Sequence, residues 1–160
     1  MKLQEAFDTV KSFKKIIEKQ IPELKFSIEY VPYKKVFREC WREDVPSPEH
    51  KFSSGVYLFC DEKDTVIYIG KATLGNLAHR MWDHLIPVTS DASDVPEFAN
   101  NPWVTDNYKP DICEIIHKGD FTISAIIVKP KELSSLLEVY LQTLHFMREG
   151  KISALNNQIG

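Results

Sequence analysis

The chain has 160 residues, enough for one domain with its own core. Its 43% hydrophobic and 27% charged content is ordinary for a globular protein and excludes a fibrous or low-complexity chain. A net charge of −3 excludes a globally basic surface: residues 1–50 hold 10 Lys and Arg against 9 Asp and Glu, and residues 51–160 hold 10 against 14, so any phosphate-binding surface must be a local patch.

In chain order, Leu3, Phe7, Val10, Phe13, Ile16, Ile17 and Ile21 recur every three to four residues. They predict an amphipathic helix over 3–20, ended before Pro22. Its polar face carries Lys2, Lys11, Lys14, Lys15 and Lys19, as a solvated face or a surface for DNA or an acidic partner. Residues 25–31 alternate as a short strand, with a second at 34–38. Residues 43–54, rich in Pro, Ser and charge, read as a loop or linker and divide an N-terminal adjunct (1–50) from a main domain (51–160). Gly55–Cys60 and Thr65–Gly70 predict the strands of a hairpin about Asp61-Glu62-Lys63-Asp64. Leu74, Leu77, Met81 and Leu85 share one face of a helix over 74–85.

Residues 86–114 read as a loop insert punctuated by Pro87, Pro96, Pro102 and Pro110, its later part acidic through Asp91, Asp94, Glu97, Asp106, Asp111 and Glu114. Strands at 112–117 and 121–128 flank a Lys118-Gly119-Asp120 turn, and a helix over 131–148 stops at Gly150. Three cysteines, Cys40, Cys60 and Cys113, are odd in number and widely spaced, which points to a reducing compartment and not to a disulfide framework or zinc site. There is no apolar run near the roughly 18 residues of a membrane span. The first apolar residues are interleaved with both charge signs, unlike a signal peptide. The expectation is a cytoplasmic protein with no membrane partner.

Chemistry concentrates in a few positions. Gly55-Val56-Tyr57 and Tyr68-Ile69-Gly70 bracket the hairpin, separated by residues 58–67, and Lys71 follows at once. Arg80 and His84, four apart, share a helix face. Glu138 interrupts the apolar run Leu136-Leu137-Glu138-Val139-Tyr140-Leu141, and Asn156 lies near the C-terminus. Taken singly, each has a plain reading. A strand tyrosine packs, a strand-end glycine relieves the backbone, Arg80 pairs with Asp83 on the surface, and Glu138 faces solvent beside Ser134, Ser135 and Gln142. The other reading of Glu138 is a buried carboxylate, which needs a partner or a metal. Together, a phenol, a guanidinium, an imidazole and a carboxylate are the parts of a metal-assisted phosphodiester hydrolase.

This constellation, in this order, resembles the GIY-YIG nuclease family over roughly residues 53–157. The resemblance implies an α/β (α+β) fold in which a small three-stranded antiparallel sheet is flanked by helices, here with an N-terminal helical extension. It implies an endonuclease that hydrolyses DNA with a single Mg²⁺ (or Mn²⁺). Tyr57 would activate the attacking water as general base, or orient it with Tyr68. Lys71 would hold that water or lower the phenol pKa, and Arg80 would clamp the phosphate. His84 would position the base or phosphate, Glu138 would be the metal ligand, and Asn156 would tie the C-terminal segment to the site. Gly55 and Gly70 would be structural. Residues 1–50 would contact DNA, a protein partner or a second subunit, or simply the core. The stretch from Gly70 to Arg80 is slightly longer than in the excision-repair branch of the family, and the acidic insert is unfavourable beside a DNA backbone. The alternative is a non-catalytic nucleic-acid- or protein-binding module that retains the scaffold.

Overall fold

The computed structural model describes residues 1–22, 27–33, 45–83, 87–88, 97–98, 120–156 and 158–160. His84, Leu85, Cys40, Cys113, the strands expected at 34–38 and 112–117, and most of the acidic insert lie outside the described residues.

The expected hairpin forms. Strand β1 spans Ser27–Tyr33, β2 spans Gly55–Asp61 and β3 spans Val66–Ala72, with β2 and β3 antiparallel. Asp61 closes their turn: its carboxylate accepts from the amides of Lys63 at 2.9 Å and Thr65 at 2.8 Å, while Asp64 takes a φ of 57°, which a short polar side chain tolerates. Pro87–Val88 (β4) and Glu97–Phe98 (β5) make a separate two-residue pairing. Strand β6, Phe121–Lys129, runs antiparallel to β2 on the side away from β3. The expected three-stranded antiparallel sheet therefore forms, and β1 extends it along β6 to the order β1-β6-β2-β3. The architecture is mixed α+β.

Helices cover both faces of this sheet, so β2 is buried from Gly55 to Cys60 and reads as a continuous apolar run instead of an alternating one. On one face lie α1 (Leu3–Gln20) and, from the C-terminal half, Leu133–Glu149. Ala6, Val10, Phe13, Leu137 and Leu141 pack there against Val56, Leu58, Ile69 and Ile126. On the other face α2 (Leu77–Asp83) sets Leu77 and Met81 against Tyr57, Phe59, Ala72 and Ile123. The C-terminal helix Leu133–Glu149, hereafter α3, ends where Gly150 takes a φ of 67°, as the glycine signal required.

Three expectations are sharpened by the structure. Of the contacts open to residues 1–50, the described part makes those with the core, since α1 packs into it and β1 pairs with β6; Val45, His50 and Ser54 of the expected linker are themselves buried. Helix α2 begins at Leu77 because Gly75 turns the chain with a φ of 65°, and Leu74 stands 77% exposed, off the apolar stripe. Finally, Ile16 and Ile21 of α1 are exposed, and Lys11 and Lys14 are paired with Asp8 and Glu18 of the same helix. No described helix is long and apolar enough to cross a membrane.

Candidate active site

The site forms around β3, an edge strand that α2 approaches on one face and α3 on the other. Tyr57, on the central strand β2, stands opposite Gly70 of β3 and Ala125 of β6, the two small neighbours that leave room for its ring. The ring lies over Gly70: a Cβ there would sit 2.5 Å from Tyr57 Cζ, 2.6 Å from Tyr57 Oη and 2.7 Å from Tyr68 Cε1. Gly70 is thus required by the phenols. Gly55 is required by the backbone, since a Cβ would run into the Ile126 carbonyl. A bulge in the β2–β3 ladder past Phe59 turns both Ile67 and Tyr68 toward the α2 face. It brings Tyr68 to 5.9 Å from Tyr57, ring centre to ring centre.

The phenols are hydrogen-bonded to each other, and the Arg80 carbonyl, 3.4 Å from Tyr57 Oη, competes for the single Tyr57 hydroxyl proton. Tyr57 is fully buried and Tyr68 half-buried. Burial pushes the Tyr57 pKa well above the ordinary phenol value, Tyr68 adds to the rise and the Arg80 guanidinium opposes it. Burial also raises Tyr68, while its hydrogen bond with Tyr57 and the Arg80 charge pull it partly back. Both phenols are therefore protonated at neutral pH.

Lys71 turns to the opposite face, toward α3. Its ammonium lies 2.7 Å from Glu138 Oε2, and Glu138 is 6% exposed. This settles the two sequence readings of Glu138 in favour of the buried, compensated carboxylate. The contact is an ion pair without hydrogen-bond alignment, so Oε2 is a buried oxygen with no hydrogen-bond partner. The charge of Glu138 is also felt by Tyr57 and Tyr68. The cation that eases phenol ionisation is Arg80; Lys71 is engaged by Glu138.

Arg80 projects from α2 at the surface. Its nearest carboxylate is Asp83 at 3.8 Å, a long contact, and Asp83 is shared with His79 at 3.1 Å. Such exposed pairs contribute little and part readily. His84, one turn beyond Arg80, lies outside the described residues.

Asn156 binds β3 as a missing strand would. Its amide donates to the Ile69 carbonyl and accepts from the Ile69 N–H, each at 2.9 Å. Leu155 N–H donates to the Ile67 carbonyl at 2.8 Å, so the tail covers an edge that would otherwise be unpaired. Two further residues complete this clamp: Ser153, which the sequence reading passed over, and Gln142, which one sequence reading placed toward solvent and the structure buries. Buried Ser153 donates to Asn156 Oδ1, and buried Gln142 donates to the Ile69 carbonyl at 3.1 Å while accepting from Gly160 N–H at 2.7 Å. Their signal was present: Gln142 lies four residues past Glu138, on the same face of an apolar helix.

The described residues thus form two groups about β3: Tyr57, Tyr68 and Arg80 on the α2 face, and Lys71 with Glu138 toward α3, the Glu138 charge reaching both phenols and Asn156 holding the strand edge as a positioning residue. Glu138 fits a divalent cation as a buried carboxylate whose Oε2 is occupied by the Lys71 ammonium without an aligned hydrogen bond. Among the described residues no three His, Cys, Asp or Glu side chains cluster, so a cation here would have one protein carboxylate and take its other ligands from water and substrate, as suits Mg²⁺. A groove of about 400 Å³ between α1 and α3, lined in part by Glu5, Asp8, Tyr140 and Arg148, holds none of these residues. Comparison with family models, with curated proteins and with solved structures finds no match to this chain.

Proposed function

We propose that the protein is a metal-dependent endonuclease of the GIY-YIG type, hydrolysing DNA phosphodiester bonds at the edge of β3. One observation carries the reading: β3 bears two phenols and an arginine on one side and a buried carboxylate paired with Lys71 on the other, and the charge of that carboxylate reaches both phenols. Packing alone would not demand the charged half of that set.

Arg80, whose ion pair among the described residues is a long contact to Asp83, can exchange that carboxylate for a phosphate, where a guanidinium binds in fork geometry and stabilises the charge that develops on hydrolysis. Tyr68 is the more open phenol and the one placed to hold a water. Because burial keeps both phenols protonated, the pair orients that water by hydrogen bonding; Tyr68 would act as base only as the phenolate, after releasing its own proton to solvent when a neighbouring cation lowers its pKa, the direction in which Arg80 already acts. Tyr57, buried beneath it, fixes the position of Tyr68. A divalent cation at Glu138 would polarise the phosphate and stabilise the leaving oxygen.

The test is plasmid nicking with Mg²⁺ by wild type, Glu138→Gln and Arg80→Ala purified in parallel. Both variants should lose at least about a hundredfold in rate, the scale for removing one preorganised charge from such a site. Unchanged nicking in the variants would assign the activity to a contaminant.

A second reading, a binding module on the same scaffold, draws on Phe52 and Leu74, which stand 85% and 77% exposed beside α2. An inactive wild type that binds a protein partner through these side chains would support it.

A further inference from the structure

We propose that Lys71 is the resident counter-ion of Glu138, and that a substrate phosphate must draw it away before a divalent cation can bind, so that nucleic acid and metal load the site cooperatively. The inference rests on the nuclease reading and concerns the order in which that site is filled.

Glu138 is buried in the sheet–helix interface, where an uncompensated carboxylate is strongly disfavoured. Lys71 supplies the compensation at 2.7 Å, against the same Oε2 that lacks an aligned hydrogen bond. An ammonium and a divalent cation cannot share that oxygen at close range without like-charge repulsion, so the ion pair competes directly with metal. The pair is also built to open. The Lys71 side chain is 34% exposed on a flexible four-carbon stem, and an ammonium makes no fork-shaped bond that would lock it in place. Lys71 follows Gly70, against which both phenol rings lie, and Tyr57 Oη reaches the Arg80 carbonyl at 3.4 Å. A phosphate captured by Arg80 therefore arrives across this strand edge from Lys71 and offers it a second anion. Moving the ammonium from carboxylate to phosphate frees Glu138 for the cation, and the cation in turn screens the phosphate. By linkage, each ligand then raises the affinity of the other by the same factor.

The experiment measures Mn²⁺ binding to the full chain by the electron-paramagnetic-resonance signal of the free ion, with and without a phosphorothioate oligonucleotide that resists cleavage. The oligonucleotide should tighten Mn²⁺ binding to wild type by roughly tenfold, within the usual range of coupled sites. Lys71→Met should bind Mn²⁺ about as tightly without oligonucleotide as wild type does with it, and gain little on its addition. Lys71→Gln serves the same purpose if the Met variant folds poorly. Glu138→Gln with the same oligonucleotide sets the baseline for Mn²⁺ held by the nucleic acid itself. If Lys71→Met and wild type bind equally while Glu138→Gln does not bind, the counter-ion role is wrong and the metal site stands. If none of the proteins binds Mn²⁺ above baseline, the assignment of Glu138 to metal falls, and the proposal with it.

Discussion

A methyl group at position 70 would stand 2.5 Å from Tyr57 Cζ and 2.7 Å from Tyr68 Cε1, both ring atoms in a packed core that yields little. Gly70→Ala should therefore displace the phenol pair and lower stability by about 1–3 kcal/mol, the range for overpacking. Urea denaturation measures the second effect. The phenol pair also sets a pH dependence. Tyr57 and Tyr68 have folded pKa values raised above the unfolded value near 10, principally by burial. Below about pH 10 both states keep these protons and the contribution is fully present. Above it the unfolded chain ionises first, and stability is lost as pH rises toward the raised folded values. Tyr57→Phe, with no proton to lose there, should flatten that decline. Urea midpoints for wild type and variant from about pH 8 to 11 give the comparison, and parallel declines would show that Tyr57 is not responsible.

Elements were legible where periodicity is local. Helix α1 lies where the Leu3-to-Ile17 spacing put it, and the hairpin lies where its two apolar runs and the acidic turn put it. Less legible were decisions made by distant partners. The pairing of β1 with β6 leaves no mark in residues 27–33, and Pro32 argues against a central strand without excluding the edge strand that β1 is. The start of α2 is set by Gly75, whose left-handed turn looks in the sequence like one more residue of an apolar helical period. Glu138 was ambiguous because a helical wheel cannot show which face meets Lys71. Asn156 was legible by resemblance, but its mode of action, replacing a strand neighbour of Ile69, exists only after folding. Asn156→Ala should free the tail from β3 and cost about 1–3 kcal/mol, because the Ile69 carbonyl and amide lose their partner. Faster hydrogen exchange at the Ile69 amide, with the β2–β6 ladder unaffected, is the expected signature. Global acceleration across the sheet would instead mean that the clamp supports the whole fold.

At the scale of the molecule, a net charge of −3 limits how this protein can hold nucleic acid. On α1, Lys11 and Lys14 are paired with Asp8 and Glu18 of their own helix, which offsets part of its basic face. Of the described site, Lys71 and Arg80 are the cations that can reach a phosphate, and Lys71 does so only by leaving Glu138. Each phosphate neutralised on duplex DNA contributes about −0.9 to the slope of log affinity against log salt. Two contacts give a slope of about −2, shallow for a DNA enzyme, and Arg80→Ala should bring it to about −1. Fluorescence anisotropy of a labelled duplex between about 50 and 200 mM KCl measures both slopes. A wild-type slope of about −6 or steeper would place a basic DNA-binding surface elsewhere on the chain. A shallow slope that Arg80→Ala reduces would mean that the active site itself is the main electrostatic contact. Affinity and chemistry would then depend on the same two side chains, and substrate capture would be inseparable from loading of the metal.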